Sequence, residues 1–444
     1  MTGILLLGIF SSCKKYLDAK SEGLFAIPNN LKDLQALMDN NQMYYGPSCT
    51  EVASDDYYLL ESDYNAQPEM QQRSYTWQNS NLYYLPFGDW SNTYYIIYYA
   101  NTVLKYFDKI SIKPEEKDKA NDVYGQALFV RARCFLQLVG AFAKGFDSAT
   151  AAKDPGIPLR LTSDFNQKDV RSSVKECYKQ IVDDLKKASQ LLPSRSIHVL
   201  RPSKAAAYCL LARTYLYMRD YENCRLYADS TLQVNSTLLD YNSVAGLANP
   251  FQQYQVPEIL YDCHHSAALP IDPGFSYIDS TLMASYDEND LRKSIFFNKT
   301  TDGRYLYWMF YEGQTYSLFD GPAVDEAYLM RAEGYARKGD LVSAIKDLDV
   351  LLKNRYSNST PYVGHTVTDQ NQAIQLILQE RRKELVFRGI RWMDVKRLNL
   401  EGANITLKRV VGNKTYVLPP NSPRYAMPIP EDIIQLSGME QNKY

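Results

Sequence analysis

From residue 91 onward, apolar positions recur at three- and four-residue steps. Tyr94, Ile97, Tyr98, Asn101 and Leu104 mark the first stripe, the spacing of one helix face. A second long helix is predicted over 117–142, "KDKANDVYGQALFVRARCFLQLVGAF". "DPGIPL" at 154–159 breaks the pattern. Ser173 and Glu176 then make a capping box. It opens a helix with Val174, Cys177, Ile181, Leu185, Ala188 and Leu192 on one side, stopped by Pro193.

Two later helix pairs repeat each other. An offset of 120 residues aligns Ala212 with Ala332, Tyr215 with Tyr335, Asp220 with Asp340 and Leu232 with Leu352. Small residues at a crossing, with a large ring one turn away, let antiparallel helices pack as tetratricopeptide-type hairpins do. Arg131, Ala132 and Phe135 read as another first helix of this kind. Residues 236–320 differ: they are rich in Asn, Pro, Gly, Ser and Tyr, with a short helix near 279–287. So long an insertion reads as an ordered functional part. The same mixture returns after 398. The predicted architecture is mostly α, one helical-hairpin domain over 13–444, with scaffold at about 91–235 and 324–398. Loop-rich, ligand-facing parts are expected at about 40–90, 236–320 and 399–444.

The N-terminus carries an apolar run, Ile4 to Phe10, followed by Ser11, Ser12 and Cys13. Small residues after such a run mark an export signal. No Lys or Arg precedes it, so residues 1–12 read as a truncated signal whose natural start lies upstream. The run is far shorter than the ~20 residues a spanning helix needs. Ser-Ser-Cys resembles a lipobox, with Phe10 where leucine is usual, which makes Cys13 the lipidated residue. The other six cysteines are widely spaced, and those in helical patterns read as small buried hydrophobes.

A net charge of −2 and the lack of a basic stripe argue against nucleic acid. There is no phosphate loop, dinucleotide glycine motif, His-Glu-x-x-His or paired-cysteine spacing, so no cofactor or metal is expected. Asp262, His264 and His265 invite a metal, but adjacent residues of a strand face opposite ways. Glu51 with Asp55 and Asp56, and Asp287 with Glu288 and Asp290, are the densest carboxylates. No motif singles out a catalytic pair of the kind a glycosidase needs. In 378–398, "LQERRKELVFRGIRWMDVKRL", Glu384 and Arg388 have i, i+4 spacing, and Asp369 with Gln372 could cap the helix. The segment reads as a charged helix bracing its neighbours.

The outstanding count is 37 tyrosines, rigid amphipathic rings suited to half-buried recognition surfaces. Two stretches combine rings with amides and lack helical period: 64–90 and 304–319. They predict a ligand platform of Trp77, Asn81, Tyr83 and Tyr84, with Tyr307, Trp308 or Tyr311 opposite. Asp55 and Asp56, with Tyr57 and Tyr58, form a weaker edge whose uncompensated acids would discourage anions. The tyrosine-rich run 80–101 divides near Gly88–Asp89. Its second half is scaffold, with Asn101 anchoring a loop, and its first half is the ligand edge.

"QERRKELVFRGIRWMDVKRL" resembles the most characteristic motif of the SusD/RagB (starch-utilisation D-type) outer-membrane lipoproteins of Bacteroidetes. "SSCKKYLD" is similar to the family's start. Trp90, Tyr94, Ile97, Ala100, Asn101 and Leu104 match its W…Y..I..AN..L helix. "RARCFLQLVGAF", "ENDLRKS" and "MPIPEDIIQLSGMEQNKY" follow in the family's order, so the resemblance covers 13–444. It implies a SusD-like fold with four tetratricopeptide-like pairs and a non-enzymatic role. The implied protein is lipid-anchored at the outer-membrane surface. It captures oligosaccharide and passes it to a SusC-like TonB-dependent transporter, as part of polysaccharide utilisation. The chain is shorter than many members, and no motif carries over starch specificity. Peptide capture by the same complex is the alternative, favoured if Asp/Arg pairs line the cleft. A purely structural helical-repeat adaptor would instead use its concave helix faces.

Overall fold

A computed structural model describes residues 27–82, 88–311, 313 and 318–444. The labelled helices are α1 (Leu31–Met38), α2 (Asp89–Phe107), α3 (Lys117–Phe142), α4 (Val174–Leu191) and α5 (Lys204–Tyr217). They continue as α6 (Tyr221–Val234), α7 (Val324–Lys338), α8 (Leu341–Lys353), α9 (Gln370–Glu384) and α10 (Arg391–Asn399). From α2 to α8 each helix packs on the next, the stacking of a helical-repeat solenoid. α6 meets α7 directly, so the long segment between them leaves the stack unbroken. Among the described residues no helix is long and apolar enough to cross a membrane.

The helix boundaries follow local chemistry. Ser173 Oγ accepts from Glu176 N–H, and Glu176 accepts from Ser173 N–H, closing the predicted capping box of α4. Asp369 accepts from Gln372 N–H at the start of α9. The repeat extends to backbone angles. Asp220 caps α6 at φ −89°, ψ 77°, and Asp340 caps α8 at φ −85°, ψ 76°. Each follows a left-handed residue, Arg219 in one turn and Gly339 in the other. Between α6 and α7 a Cβ on Gly334 would lie 2.6 Å from Arg225 Cβ and 3.0 Å from Tyr221 O, so the crossing requires glycine. Asn101 anchors its loop as expected: Nδ2 donates to the carbonyls of Arg160 and Thr162, while Oδ1 accepts from Arg131.

A second core lies outside the stack. It gathers Tyr57, Tyr75, Tyr241, Phe251, Tyr286, Phe297 and Phe387, among others. An antiparallel sheet supports it, with strands β1 (Tyr57–Tyr58), β2 (Tyr277–Ile278), β3 (Phe297–Lys299) and β4 (Tyr305–Tyr307) in the order β1-β2-β4-β3. Much of the surrounding backbone is irregular, and phenol groups satisfy it. Tyr57 Oη donates to Val52 O, Tyr261 to Met43 O and Tyr286 to Lys383 O, while Tyr75 Oη accepts from Leu59 N–H. Cys49, Cys134, Cys177, Cys209, Cys224 and Cys263 are all buried free thiols.

α9, α10 and the turn between them hold stack and second core together through buried charge. Arg292 pairs with Asp290, Glu380 and Glu384 at 2.6–2.9 Å. Arg355 takes Glu258 and the other oxygen of Glu384, and Lys383 takes Asp290 and Glu380. Arg388 pairs with Asp325. A second set links α5, α7, α9 and α10 through Arg213–Glu326, Arg381–Asp394 and Arg397 with Asp394 and Glu333. The bracing role is as expected, but the Glu384–Arg388 pair is not. α9 ends at Glu384, so helical i, i+4 geometry stops there, and the two residues serve different partners. Lys396 and Asn442 meanwhile donate to the terminal carbonyls of α3, at Gly140, Ala143 and Phe142.

Two consequences are measurable. Arg292→Met takes one of two cationic partners from each of three buried carboxylates and is expected to cost about 3–5 kcal/mol in urea unfolding. Lys179→Ala, breaking the exposed Lys179–Asp183 pair, is expected to cost under about 0.5 kcal/mol. Glu51 accepts from Gly389 N–H beneath the α9–α10 turn. Burial, reinforced by Asp56, pushes its carboxyl up to about 7. An acid raised this way stabilises the fold while protonated and loses that contribution as pH rises toward 7. Glu51→Gln is therefore expected to gain about 2–3 kcal/mol on the native protein between about pH 5 and about pH 8, measured by urea unfolding at both pH values.

Candidate ligand-binding site

The β3–β4 hairpin sets the direction of the aromatic side chains that follow it. Phe297 pairs with Tyr307, Asn298 with Leu306 and Lys299 with Tyr305. Successive strand residues alternate faces. Tyr307 thus turns inward, 4% exposed, and stacks on Phe387 at 4.6 Å and 17°. Trp308 turns outward, 50% exposed, with its backbone N–H donating to Phe296 O at 2.8 Å. Its indole opens on a groove of about 440 Å³, within the ~300–1,000 Å³ range of small-molecule sites. Leu247, Asn249, Ser294, Asn298 and Phe310 are among the residues that line it with Trp308. Gly313 also lines it, at φ +77°, where a Cβ would lie 2.3 Å from Gln253 N.

The other residues of the expected platform lie elsewhere. Trp77 is 4% exposed at φ +56°, packs in the helical core, and donates from Nε1 to Ala53 O at 3.0 Å. Tyr311 is buried, donates its one hydroxyl proton to Glu258 with Asp325 3.2 Å away, and lies under the Arg388 guanidinium. Asn81 is exposed at φ +51°, its N–H held by Glu431. Tyr83, Tyr84 and Cys13 lie outside the described residues. The structure therefore does not join these rings in one open face: Trp77 belongs to the stack, Tyr307 and Tyr311 to the second core. Of the named rings among the described residues, Trp308 is the exposed one.

The expected acidic edge is also corrected. Asp55 is paired with Arg391, and Asp56 with Arg382. Burial pushes the Asp55 carboxyl up, but Arg391 and Arg382 outweigh it and hold the group well below the usual range. Glu258, Asp325 and Glu384 bring carboxylate oxygens within 4.8 Å of one another. Arg355 and Arg388 already occupy them. Burial, with Asp325 and Glu384 alongside, pushes the Glu258 carboxyl up against the pull of Arg355. His265 is buried with Nδ1 at 2.9 Å from Pro47 O, whereas its neighbour His264 is half-buried.

A second aromatic groove, about 280 Å³, lies between α2 and the loop after Pro158. Phe165, 72% exposed, stacks on Tyr98 at 4.5 Å and 28°. Arg160, Asp164 and Asp169 also line it. Its amide is already used, because Asn101 spends both ends on Arg160, Thr162 and Arg131. The Trp308 groove combines an open ring with the amides of Asn249 and Asn298 and the hydroxyl of Ser294. Sequence reasoning named Trp308 but missed these three, which carry no periodic or motif signal.

Comparison with known proteins agrees with this architecture. A family model described as "Starch-binding associating with outer membrane" matches residues 15–216, and one described as "SusD family" matches 325–444. The groove-lining residues, 244–313, fall between them. SusD-like protein P2 of Formosa agariphila is 25% identical over 376 residues, 70% of this chain and 71% of that protein. Among solved structures, a sugar-binding protein of Bacteroides vulgatus superposes with TM-score 0.75 at 24% identity, covering 94% of this chain and 99% of that one. A SusD superfamily protein of Bacteroides thetaiotaomicron gives 0.75 at 18%, covering 94% and 100%. A laminarin-binding SusD-like protein gives 0.66 at 17%, covering 94% and 99%. With the helix stack and the two matched stretches in the same order, the chain belongs to the SusD/RagB family.

Proposed function

We propose that this protein is a non-catalytic capture protein for oligosaccharide. It binds sugar in the Trp308 groove and delivers it to a SusC-like TonB-dependent transporter of the outer membrane. The observation that carries the reading is a half-exposed indole beside the side-chain amides of Asn249 and Asn298, with the Ser294 hydroxyl, which donates to Leu291 O, still able to accept. A sugar has C–H faces that pack on a ring and hydroxyls that both donate and accept, and Asn side chains answer in both directions. Family membership and the sugar-binding descriptions of its relatives support the ligand class. Lipid on Cys13, in the Ser-Ser-Cys sequence, would hold the protein at the cell surface.

Trp308→Ala is expected to weaken glycan binding about tenfold in calorimetry while moving stability by under about 0.5 kcal/mol. Trp77→Ala is expected to cost about 3–5 kcal/mol of stability, because it opens a cavity in the stack. Unchanged affinity in Trp308→Ala sinks the groove assignment. For the anchor, Cys13→Ala is expected to move the protein from the membrane to the soluble fraction, and globomycin to leave an unprocessed precursor. Continued membrane retention of the Cys13→Ala variant counts against lipidation.

A further inference from the structure

We infer that the Trp308 groove is selective for uncharged oligosaccharide and rejects chains bearing uronate or sulfate groups. This rests on reading the groove as a glycan site. Of the fourteen described residues that line it, from Val244 to Gly313, none is charged. Its polar side chains are Asn249, Asn298 and Ser294, all neutral: the two amides pair with hydroxyls in either direction, and Ser294, whose Oγ donates to Leu291 O, accepts. An anionic sugar would give up hydration for a wall with no Arg or Lys to replace it. The indole adds to the rejection, because the face of an aromatic ring is its negative pole.

The cations nearby are directed elsewhere. Lys299 follows Asn298 on β3 and so points to the opposite face, with its ammonium 5.9 Å from the Tyr305 ring. Arg304 pairs with Asp302 and lies 4.5 Å from the Tyr277 ring. Arg292 and Arg355 are fully buried beneath, spent on Asp290, Glu258, Glu380 and Glu384. Lys293, one residue before Ser294, is not part of the lining.

The test titrates the purified protein with neutral hexasaccharides of laminarin, mannan and xylan, and with oligogalacturonate and a carrageenan hexasaccharide. Each is run at about 20 mM and about 500 mM NaCl, on the native chain and on Trp308→Ala. The expected result is binding to at least one neutral oligosaccharide, changed less than about twofold by salt and weakened about tenfold in Trp308→Ala. Tightest binding of an anionic chain, lost in Trp308→Ala, overturns the selectivity and leaves the groove as a glycan site. Neutral binding untouched by Trp308→Ala overturns the groove itself. Failure of every glycan to bind overturns both.

Discussion

Glu384 accepts from Arg292 with one oxygen and from Arg355 with the other, and all three groups are shut away from water. Their desolvation is costly, and the pairing recovers that cost only in one arrangement of the chain. Arg292 comes from the inserted segment, Arg355 from just beyond α8, and Glu384 from the last turn of α9. A single carboxylate therefore fixes where the second core sits against the helix stack. Five carboxylates and four cations share this interior: Asp290, Glu258, Asp325, Glu380 and Glu384 against Arg292, Arg355, Lys383 and Arg388. Within this set burial, with Asp325 and Glu384 alongside, pushes the Glu258 carboxyl up against the pull of Arg355, so charge is disfavoured there.

The groove inherits its placement from that lock. The short helix Arg292–Phe296 supplies the buried guanidinium at one end and passes directly into β3 at the other. β3 then pairs with β4, and the pleat turns Tyr307 into the core and Trp308 to solvent. The indole is presented by an element whose other face is tied to the deepest charges in the molecule. Such a platform needs little ordering on binding, which favours affinity at a shallow site.

The scaffold was legible because its determinants are local. A capping box needs only Ser173 and Glu176, and the repeated turn needs Asp220 and Asp340 at one offset. Asn101 could be read as an anchor because it lies on the buried stripe of a helix, where an amide must find partners. The site was legible only in composition. Trp77 and Trp308 occupy similar ring-and-amide sequences, yet a left-handed backbone at Trp77 turns one indole inward and a strand end turns the other outward. Neither event leaves a periodic trace. The same holds for Asp55 and Asp56, which look exposed until Arg391 and Arg382 arrive from more than three hundred residues away.

The buried tyrosines carry a consequence for composition itself. Where two strands run side by side, backbone groups satisfy one another. Outside the stack such ladders are short, and Tyr57, Tyr75, Tyr261 and Tyr286 each bring a hydroxyl to a backbone peptide group while filling space with the ring. A phenol works there as a detachable rung, one side chain standing in for the neighbouring strand. Part of the chain's tyrosine count, which looks like a recognition surface, is therefore internal carpentry.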